Sequence, residues 1–420
     1  MKTAEIISRF GQYVIANYTR APVVCERGEG VYVWDAEGKR YLDLFSGWAV
    51  CTLGHCHPRL VAALTEQLKR LLYMPNSYYW ESQGRLAEIL SVHSFGGQCF
   101  FCNSGAEAVE GAMKLARLYS GGKRWKIVSF QNSFHGRTLA TLTATGQEKY
   151  HQGLGPLPAG FSYARLNDLD SVKALLDEET AAVLIEPIQG EGGVYLSAPG
   201  FLRDLKRLCE ERGALLICDE VWSGVGRTGR WFAYQHYGIE PDIMALAKGL
   251  GGGLPIGAIV ARREVAAAMK PGTHASTFGG NPLATRAGVA VLETIEEERL
   301  LENAQAQGKR LTAGLERLRA TTSRIAEVRG LGLMLGVELT EPGEKIVAAC
   351  REAGLLINCA HERVLRLAPA LTITSAQVDE GLAILGEVLC RKAAPAAPAP
   401  PPAKPAPCAK PAGKKSSRRK

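Results

Sequence analysis

The chain has 420 residues, of which 46% are hydrophobic and 7% are aromatic, so it is long enough to bury a large core. It has no run approaching ~18 apolar residues and no apolar N-terminal stretch of the secretory type, which argues against a membrane-spanning helix and a signal peptide. Its eleven cysteines are scattered and odd in number, as is typical of a reducing compartment. We therefore expect a cytoplasmic protein.

The net charge of +8 is concentrated near the C-terminus. Residues 393–420 contain seven Lys or Arg and no acid, so the rest of the chain carries only +1. This balance argues against specific nucleic-acid binding by the body of the protein. The Pro/Ala/Lys-rich composition of 393–420 predicts a disordered tail, either a solubilising extension or a segment that contacts polyanions or membrane surfaces.

Two short motifs have the residue types of a metal site without its spacing. The pair Cys99 and Cys102 in "CFFC" encloses apolar residues and has no second pair at zinc spacing, so we interpret it as buried strand thiols. In "GHCHP" (54–58) the proline favours a turn, and we interpret the motif as a structural loop. We predict no metal site.

The segment "NSGAEAVEGAMKLARL" (103–118) has the pattern of a capped amphipathic helix. Ser104 followed by Glu107 forms a capping-box pattern, and apolar residues then recur at helical spacing. Gly105 permits close approach of the backbone. The free N–H groups at such a helix start can bind a phosphate, although many capped helices bind nothing.

The middle of the chain predicts a mostly parallel sheet. Four short apolar runs predict strands, at 126–132, 181–187, 214–220 and 243–248. A helical pattern that ends at Gly213 lies between the second and third runs, which gives a β-α-β unit. Ligands of such sheets bind beyond the carboxyl ends of the strands. Glu186, Asp219 and Lys248 all stand at these ends, which indicates a functional site there.

The pair Asp219 and Lys248 matches the needs of a pyridine-ring cofactor. A carboxylate keeps the ring nitrogen protonated, so that the ring accepts electrons, and a lysine amine holds the aldehyde as a Schiff base. Each residue alone has a simpler explanation, a turn cap for Asp219 and a surface cation for Lys248. Together they predict pyridoxal 5'-phosphate (PLP), and the glycines after Lys248 would let the backbone pass close to cofactor and substrate.

The motif "GVGRTG" (224–229) is a rival signal, because it matches the G-x-G-x-x-G fingerprint of dinucleotide binding. That fingerprint should follow its strand immediately. Here the strand is predicted to end near Glu220, four residues before the first glycine, so the match is weak.

The pattern changes after about residue 285. A long amphipathic stretch rich in helix formers is followed by three runs that predict strands, "GLGLMLGVEL", "GLLINCA" and "VLRLAPALTIT". The predicted organisation is an N-terminal segment that joins the small domain, a large domain, a small α+β domain and the tail, with the bounds 1–55, 56–284, 285–392 and 393–420.

Six ordered motifs carry a resemblance to the class III (ω-amino-acid) aminotransferases, over residues from about 10 to 390. They are "NSGAEA", "FHGRT", "EPIQGEGG", "DEV...GVGRTG", "ALAKGLGGGLPIGA" and "STFGGNPLA". The resemblance implies PLP fold type I, an α/β architecture with a large, mostly parallel sheet and a smaller α+β domain. Within the class the chain resembles acetylornithine aminotransferases most.

The resemblance implies a cofactor site. Gly105 and Ala106 would offer N–H groups to the phosphate with Ser104 beside them, and Phe134 and Val221 would cover the two ring faces. Asp219 and Lys248 would have the roles given above. Thr277 would reach the phosphate of the neighbouring subunit, so the resemblance also implies a homodimer with shared active sites.

The resemblance implies a substrate site as well. Arg137 would hold a substrate carboxylate, and Arg366 would hold the α-carboxylate of glutamate. Glu191 would pair with Arg366 when an ω-amine is bound and release it for glutamate. This arrangement is chemically consistent, because arginine binds carboxylates with two hydrogen bonds. An ordinary ion pair is the alternative for these two residues.

The expected reaction moves the distal amine of an acylated diamino acid, N-acetylornithine first, to 2-oxoglutarate, in arginine biosynthesis. Ornithine, acyl-lysine, 4-aminobutyrate or another ω-amine is the alternative donor, and a same-fold aminomutase is an alternative reaction. Two departures from the family bear on the donor. Trp222 stands where the family usually has a glutamine that can hydrogen-bond the cofactor's phenolic oxygen, so Trp222 either substitutes as the donor or turns away. Trp48 lies in a region where smaller residues are common. A non-catalytic scaffold acting through the tail is an alternative of another class, which the Asp219 and Lys248 pair disfavours.

Overall fold

The computed structural model describes residues 3–390, and the predicted tail at 393–420 lies outside them. The α-helices are α1 (Thr3–Tyr13), α2 (Ser46–Ala49), α3 (Pro58–Arg70), α4 (Glu81–His93), α5 (Gly105–Tyr119), α6 (Leu139–Ala144), α7 (Leu169–Lys173), α8 (Phe201–Arg212), α9 (Arg263–Ala266), α10 (Pro282–Glu297), α11 (Leu300–Thr321), α12 (Glu344–Glu352) and α13 (Ser375–Cys390).

The strands are β1 (Cys25–Glu29), β2 (Tyr32–Asp35), β3 (Arg40–Asp43), β4 (Gln98–Cys102), β5 (Lys126–Phe130), β6 (Phe161–Ala164), β7 (Thr180–Ile185), β8 (Ile188–Gln189), β9 (Tyr195–Leu196), β10 (Leu215–Asp219), β11 (Ile243–Leu246), β12 (Gly257–Ala261), β13 (Ile325–Leu331), β14 (Met334–Leu339), β15 (Leu355–Leu356), β16 (Asn358–Ala360) and β17 (Val364–Leu367).

The large sheet has seven strands in the order β4-β12-β11-β10-β7-β5-β6. Its neighbouring strands β11, β10, β7, β5 and β6 run parallel, and β12 is antiparallel to both of its neighbours. The four predicted strands of the middle segment all lie in this sheet. The predicted α/β architecture with a mostly parallel sheet is therefore confirmed.

Helices cover both faces of this sheet, which explains why its central strands are apolar throughout. Ile217 of β10 packs in the cluster that contains the buried face of α5. Its neighbours Leu216 and Cys218 point the other way, into the cluster that contains α8. A strand buried on both faces reads as a continuous hydrophobic run rather than an alternating one. Gly213 ends α8 in the left-handed conformation, as its position predicts.

The C-terminal part forms an antiparallel sheet in the order β13-β14-β17-β16. The long helical stretch predicted from about residue 285 is two helices rather than one, because Arg299 between α10 and α11 has a left-handed backbone with φ 53°. Helix α10 packs against α3 and α4. It begins at Pro282 and so crosses the predicted boundary at 284/285; the domain limits stay predictions.

The N-terminal strands form a third sheet, β1-β2-β3-β15, in which β3 pairs in parallel with β15 near the C-terminal end. The short element α2 after β3 is a left-handed turn rather than a regular α-helix, with φ between 49° and 62° at Ser46, Gly47, Trp48 and Ala49. Three of these residues carry a Cβ atom, and each costs about 1 kcal/mol or more in this conformation. Strain of this kind is often found at functional sites.

The motifs weighed as metal sites are structural in the described residues. His55 bonds the Asp43 carboxylate at 2.9 Å, and Pro58 starts α3 rather than a turn. Burial raises the pKa of the Cys99 and Cys102 thiols in β4 to about 12. Between residues 3 and 390 no cluster of three or more His, Cys, Asp or Glu could hold a metal ion, and no helix there is long and apolar enough to span a membrane.

Candidate active site

The carboxyl ends of the central strands open onto a cavity of about 360 Å³. Most of the residues predicted to bind the cofactor line it, namely Ser104, Gly105, Ala106, Phe134, Asp219, Val221 and Lys248. Glu186 and Glu191 line it as well. The topology of the sheet thus gathers residues that are up to 144 positions apart at one edge, where parallel sheets bind ligands.

Asp219 is held rigidly at the end of β10. Its Oδ1 atom accepts the backbone N–H of Val221 at 3.0 Å, and His135 Nδ1 donates to Oδ2 at 2.8 Å. His135 is itself buried. With its proton on Nδ1, the imidazole fixes the carboxylate without neutralising it, so Asp219 can serve as an anionic partner for a protonated ring nitrogen.

Lys248 lies two residues after the end of β11, and three carboxylates act on its charge. Burial lowers the pKa of its amine, and the charges of Glu191, Asp219 and Glu186 oppose that shift. The lysine backbone is left-handed, with φ 44°. A lowered pKa favours the unprotonated amine, which is the form that attacks an aldehyde or accepts a proton.

The N-terminus of α5 points at the same cavity. The Ser104 side chain accepts the backbone N–H of Glu107 at 3.2 Å, as the capping pattern predicts. The Glu107 carboxylate accepts the backbone N–H of Asn103, whereas a capping box would have it accept that of Ser104. Gly105 is needed for packing, since a Cβ atom there would lie 2.9 Å from Val221 Cγ1. The N–H groups of Gly105 and Ala106 are thus free of a side-chain cap and suit a phosphate.

Arg366 approaches from β17 and meets Glu191, with Nη1 and Oε1 2.9 Å apart. Its Nε atom donates to Asn358 Oδ1 at 2.9 Å, because Asn358 is its direct neighbour on β16. The guanidinium lies 4.8 Å from the centre of the Trp222 ring and 5.3 Å from that of Phe45. Arg366 is therefore held by aromatic and amide groups that do not depend on Glu191.

Three residues predicted for the site lie outside the cavity lining of this chain, and one of them is Arg366, which meets the lining residue Glu191. Arg137 is exposed and stacks on Tyr150 and Phe134, with its Cζ atom 4.1 Å and 5.5 Å from the ring centres. Gly136, the residue directly before Arg137, lines the cavity, so Arg137 borders the lining. Thr277 is exposed in a bend before α10.

The prediction missed three residues that shape the site. His135 directly follows Phe134 and could have been found from that position alone. Asn358 acts through strand pairing with Arg366, which the sequence does not reveal. Glu186 was noticed at its strand end but given no role; it accepts the N–H groups of Phe134 and Gly190, and burial raises its pKa to about 7.

The two tryptophans that depart from the family pattern behave differently. Trp222 lines the cavity and is 7% exposed, so it does not turn away. Trp48 is 48% exposed on the left-handed turn and packs edge-on against Phe45.

The residues present fit PLP. The cavity offers an amine for the aldehyde, an anion for the ring nitrogen, a helix N-terminus for the phosphate and an aromatic wall for the ring. Trp222 Nε1 is also buried in this lining with no hydrogen-bond partner among the described residues, which indicates that a ligand completes the site.

Comparison with known proteins agrees with this site. The family model for aminotransferase class III matches residues 13–389. The chain belongs to the class III aminotransferases. It is therefore a PLP-dependent enzyme that transfers amino groups between small amino acids and oxo acids.

Individual relatives narrow the comparison. The chain is 51% identical to an acetylornithine aminotransferase of Caldanaerobacter subterraneus, over 90% of this chain and 97% of the relative. A solved acetylornithine aminotransferase of Elizabethkingia anophelis matches with a TM-score of 0.83 and 35% identity, over 93% and 99%. An ornithine aminotransferase of Toxoplasma gondii, whose structure has partial occupancy of PLP at the active site, matches with a TM-score of 0.89 and 34% identity, over 92% and 94%.

Proposed function

We propose that this enzyme moves the distal amino group of N-acetylornithine to 2-oxoglutarate, giving the semialdehyde and glutamate. The observation that carries the proposal is the Glu191–Arg366 pair, with 2.9 Å between its charged atoms, in a site that also contains Lys248. The similarity to acetylornithine aminotransferases supports the donor, and that reaction belongs to arginine biosynthesis.

The pair lets one site serve two substrates. With Glu191 against Arg366 the guanidinium charge is neutralised, which suits a donor that reacts through an amine far from its carboxylate. Glutamate reacts through its α-amine and presents a carboxylate close to the reacting carbon. If Glu191 releases Arg366, the guanidinium can bind that carboxylate with two hydrogen bonds, while Asn358 and Trp222 keep it in place.

PLP, when bound, supplies an electron sink for the carbon that bears the reacting amine. Asp219 would keep the ring nitrogen protonated. The Nζ atom of Lys248 would take the proton from that substrate carbon and pass it to the aldehyde carbon of the cofactor, for which its lowered pKa is suited. Phe134 and Val221 would cover the two faces of the ring, and Arg137 would bind the distant carboxylate of the donor.

We also infer a homodimer, in the cytoplasm, with active sites shared between subunits. Thr277 lies outside its own cavity, and next to it the exposed Phe278 packs on Tyr73 with 5.6 Å between ring centres. Further exposed apolar side chains near Tyr73 in the sequence are Leu68, Leu71, Leu72, Tyr78 and Tyr79. Apolar groups of this number indicate a contact surface. Sedimentation of a monomer at micromolar concentration would contradict the inference.

The test of the reaction is a donor panel with 2-oxoglutarate, scored by glutamate formation. We expect N-acetylornithine to give the highest kcat/KM, ahead of ornithine, acyl-lysine and 4-aminobutyrate. A higher value for ornithine would favour the activity named for the Toxoplasma relative, and turnover without 2-oxoglutarate would favour an aminomutase. The Lys248→Ala variant should lose the visible cofactor band and all turnover; a variant with full turnover would overturn the role of Lys248.

A further inference from the structure

The indole N–H of Trp222 is a buried donor without an acceptor. Trp222 is 7% exposed, and its Nε1 atom has no hydrogen-bond partner among the described residues. An unsatisfied buried N–H costs about 1–3 kcal/mol. Since Trp222 lines the cofactor cavity, the acceptor that satisfies it is expected on the bound molecule.

The indole ring is fixed between the two cations of the site. Lys248 Nζ lies 5.1 Å from its centre, and Arg366 Cζ lies 4.8 Å from it. Phe45 meets the ring edge-on, and the six-membered part of the indole packs on Gly190 so closely that a Cβ atom at 190 would overlap it. These contacts leave the ring little freedom, so its N–H has a defined direction.

The chemistry of PLP limits which atom can be the acceptor. The hydroxyl group and the phosphate arm of the pyridine ring flank the aldehyde carbon on opposite sides, and the nitrogen lies across the ring. In this cavity Lys248 would hold the aldehyde carbon, Asp219 would hold the nitrogen, and the start of α5 would receive the phosphate. A cofactor held in this way would have its hydroxyl oxygen next to Lys248, on the side away from α5.

The side chains near Lys248 differ in whether they can donate a hydrogen bond to that oxygen. Glu186 and Glu191 are acceptors when ionised and would repel a negatively charged oxygen. Ser104 is already engaged by Glu107, and it belongs to the phosphate side. Trp222 is adjacent to Lys248 and offers a neutral donor.

We propose that Trp222 Nε1 donates a hydrogen bond to the hydroxyl oxygen of bound PLP, and so sets the acidity of the proton that this oxygen shares with Lys248 Nζ. The donor stabilises negative charge on the oxygen, which makes the shared proton easier to lose. This proposal rests on the cofactor and is independent of which amine is the donor.

The experiment is a pH titration of the visible absorption band of the holoenzyme, in wild type and in Trp222→Phe. We expect the midpoint to rise by about one pH unit in the variant, because one hydrogen bond to a charged oxygen is lost. Trp222→Gln, which restores an N–H donor, should move the midpoint back toward that of the wild type. Unchanged midpoints in Trp222→Phe would overturn the proposal.

The matched control is Trp125→Phe. Trp125 donates from Nε1 to Glu179 at 3.1 Å, at the end of β5 away from the cavity, so its loss should leave the midpoint unchanged. If Trp222→Phe does not fold, β-(3-benzothienyl)alanine at position 222 keeps the shape of the indole and removes only the N–H. We expect the same upward shift with it, and no shift would contradict the proposed bond.

A second measurement uses a PLP analogue without the ring hydroxyl. The preference of the wild type for PLP over the analogue should exceed that of Trp222→Phe by about tenfold in dissociation constant. Equal preferences would show that Trp222 does not contact the hydroxyl. These binding readouts need no amine donor, so a failure here differs from a failure of the proposed reaction, which would appear only in the donor panel.

Discussion

Two regions of the molecule each contain a buried arginine and a glutamate. In one region the two side chains form an ion pair, and in the other each side chain bonds neutral groups instead. Beside the cavity, Arg366 is 2% exposed and lies 2.9 Å from Glu191. In the turn after β10, Arg227 and Glu220 are each 1% exposed. Arg227 donates to the carbonyl oxygens of Leu333 and Pro369, and Glu220 accepts from the Tyr234 N–H and the Ser223 hydroxyl.

The difference separates a functional charge from a structural one. Burial without an opposite charge lowers the pKa of Arg227 to about 10 and raises that of Glu220 to about 7. Arg227 links its turn to the segments around β14 and β17, whose carbonyl groups cannot move away independently. Arg366 faces the partly exposed carboxylate of Glu191, which a substrate carboxylate would replace in the proposed reaction. We propose that an exchangeable counter-ion, rather than burial alone, distinguishes an arginine that binds substrate.

The strongest test of this comparison is Arg366→Lys. Lysine keeps the positive charge near Glu191 but cannot bind a carboxylate with two parallel bonds, so kcat/KM for glutamate should fall about 100-fold. The melting temperature should stay within about 2 °C of the wild type. Arg165→Lys, at an exposed ion pair, is the control and should retain full activity. An Arg366 variant that binds glutamate normally would refute the distinction.

Arg227→Met should have the reverse effect. The carbonyl oxygens of Leu333 and Pro369 lose their donor, and we expect unfolding free energy to fall by about 2 kcal/mol in urea titrations. Turnover at low temperature should stay within about threefold. The exposed Arg230 in the same turn gives a matched control, Arg230→Met. A variant that loses turnover but keeps its stability would show that Arg227 has a functional rather than a structural role.

Glu191→Ala tests the same comparison by removing the counter-ion of Arg366. Without Glu191, Arg366 is always free for a carboxylate, so the ratio of the glutamate to the ω-amine half-reaction should rise about tenfold. Stopped-flow measurement of each half-reaction gives this ratio directly. If the ratio does not change, Glu191 is an ordinary ion-pair partner.

The smallest expected effect is that of Glu220→Gln on the pH dependence of stability. A carboxyl whose pKa is raised from 4.5 to about 7 keeps a proton that the unfolded chain releases, so stability falls as pH rises through this range. The wild type should therefore decline more steeply than the variant between pH 5 and 7, by about 1 kcal/mol per pH unit. Parallel curves would mean that Glu220 is ionised when folded. The exposed Glu211→Gln serves as the control.

The features of this molecule that depend on local sequence pattern could be predicted from the sequence. The apolar runs before Asp219 and Lys248 have to be central strands, because only a sheet covered on both faces buries every side chain of a run. The cap at Ser104 follows from residues three apart. By contrast, the bonds of His135 to Asp219 and of Asn358 to Arg366 depend on sheet order and register. The left-handed Arg299 also escaped prediction, because its two flanking helices are both rich in helix formers.

The contact between Gly190 and Trp222 restricts how this site can change by successive mutations. No side chain larger than hydrogen fits at 190 while the indole occupies its place. A smaller residue at 222 must therefore arise before 190 can diversify, and once 190 has gained a side chain, a return to tryptophan is closed. Which variants of this pocket can evolve therefore depends on the order of the substitutions at 190 and 222, and not only on the effect of each one alone.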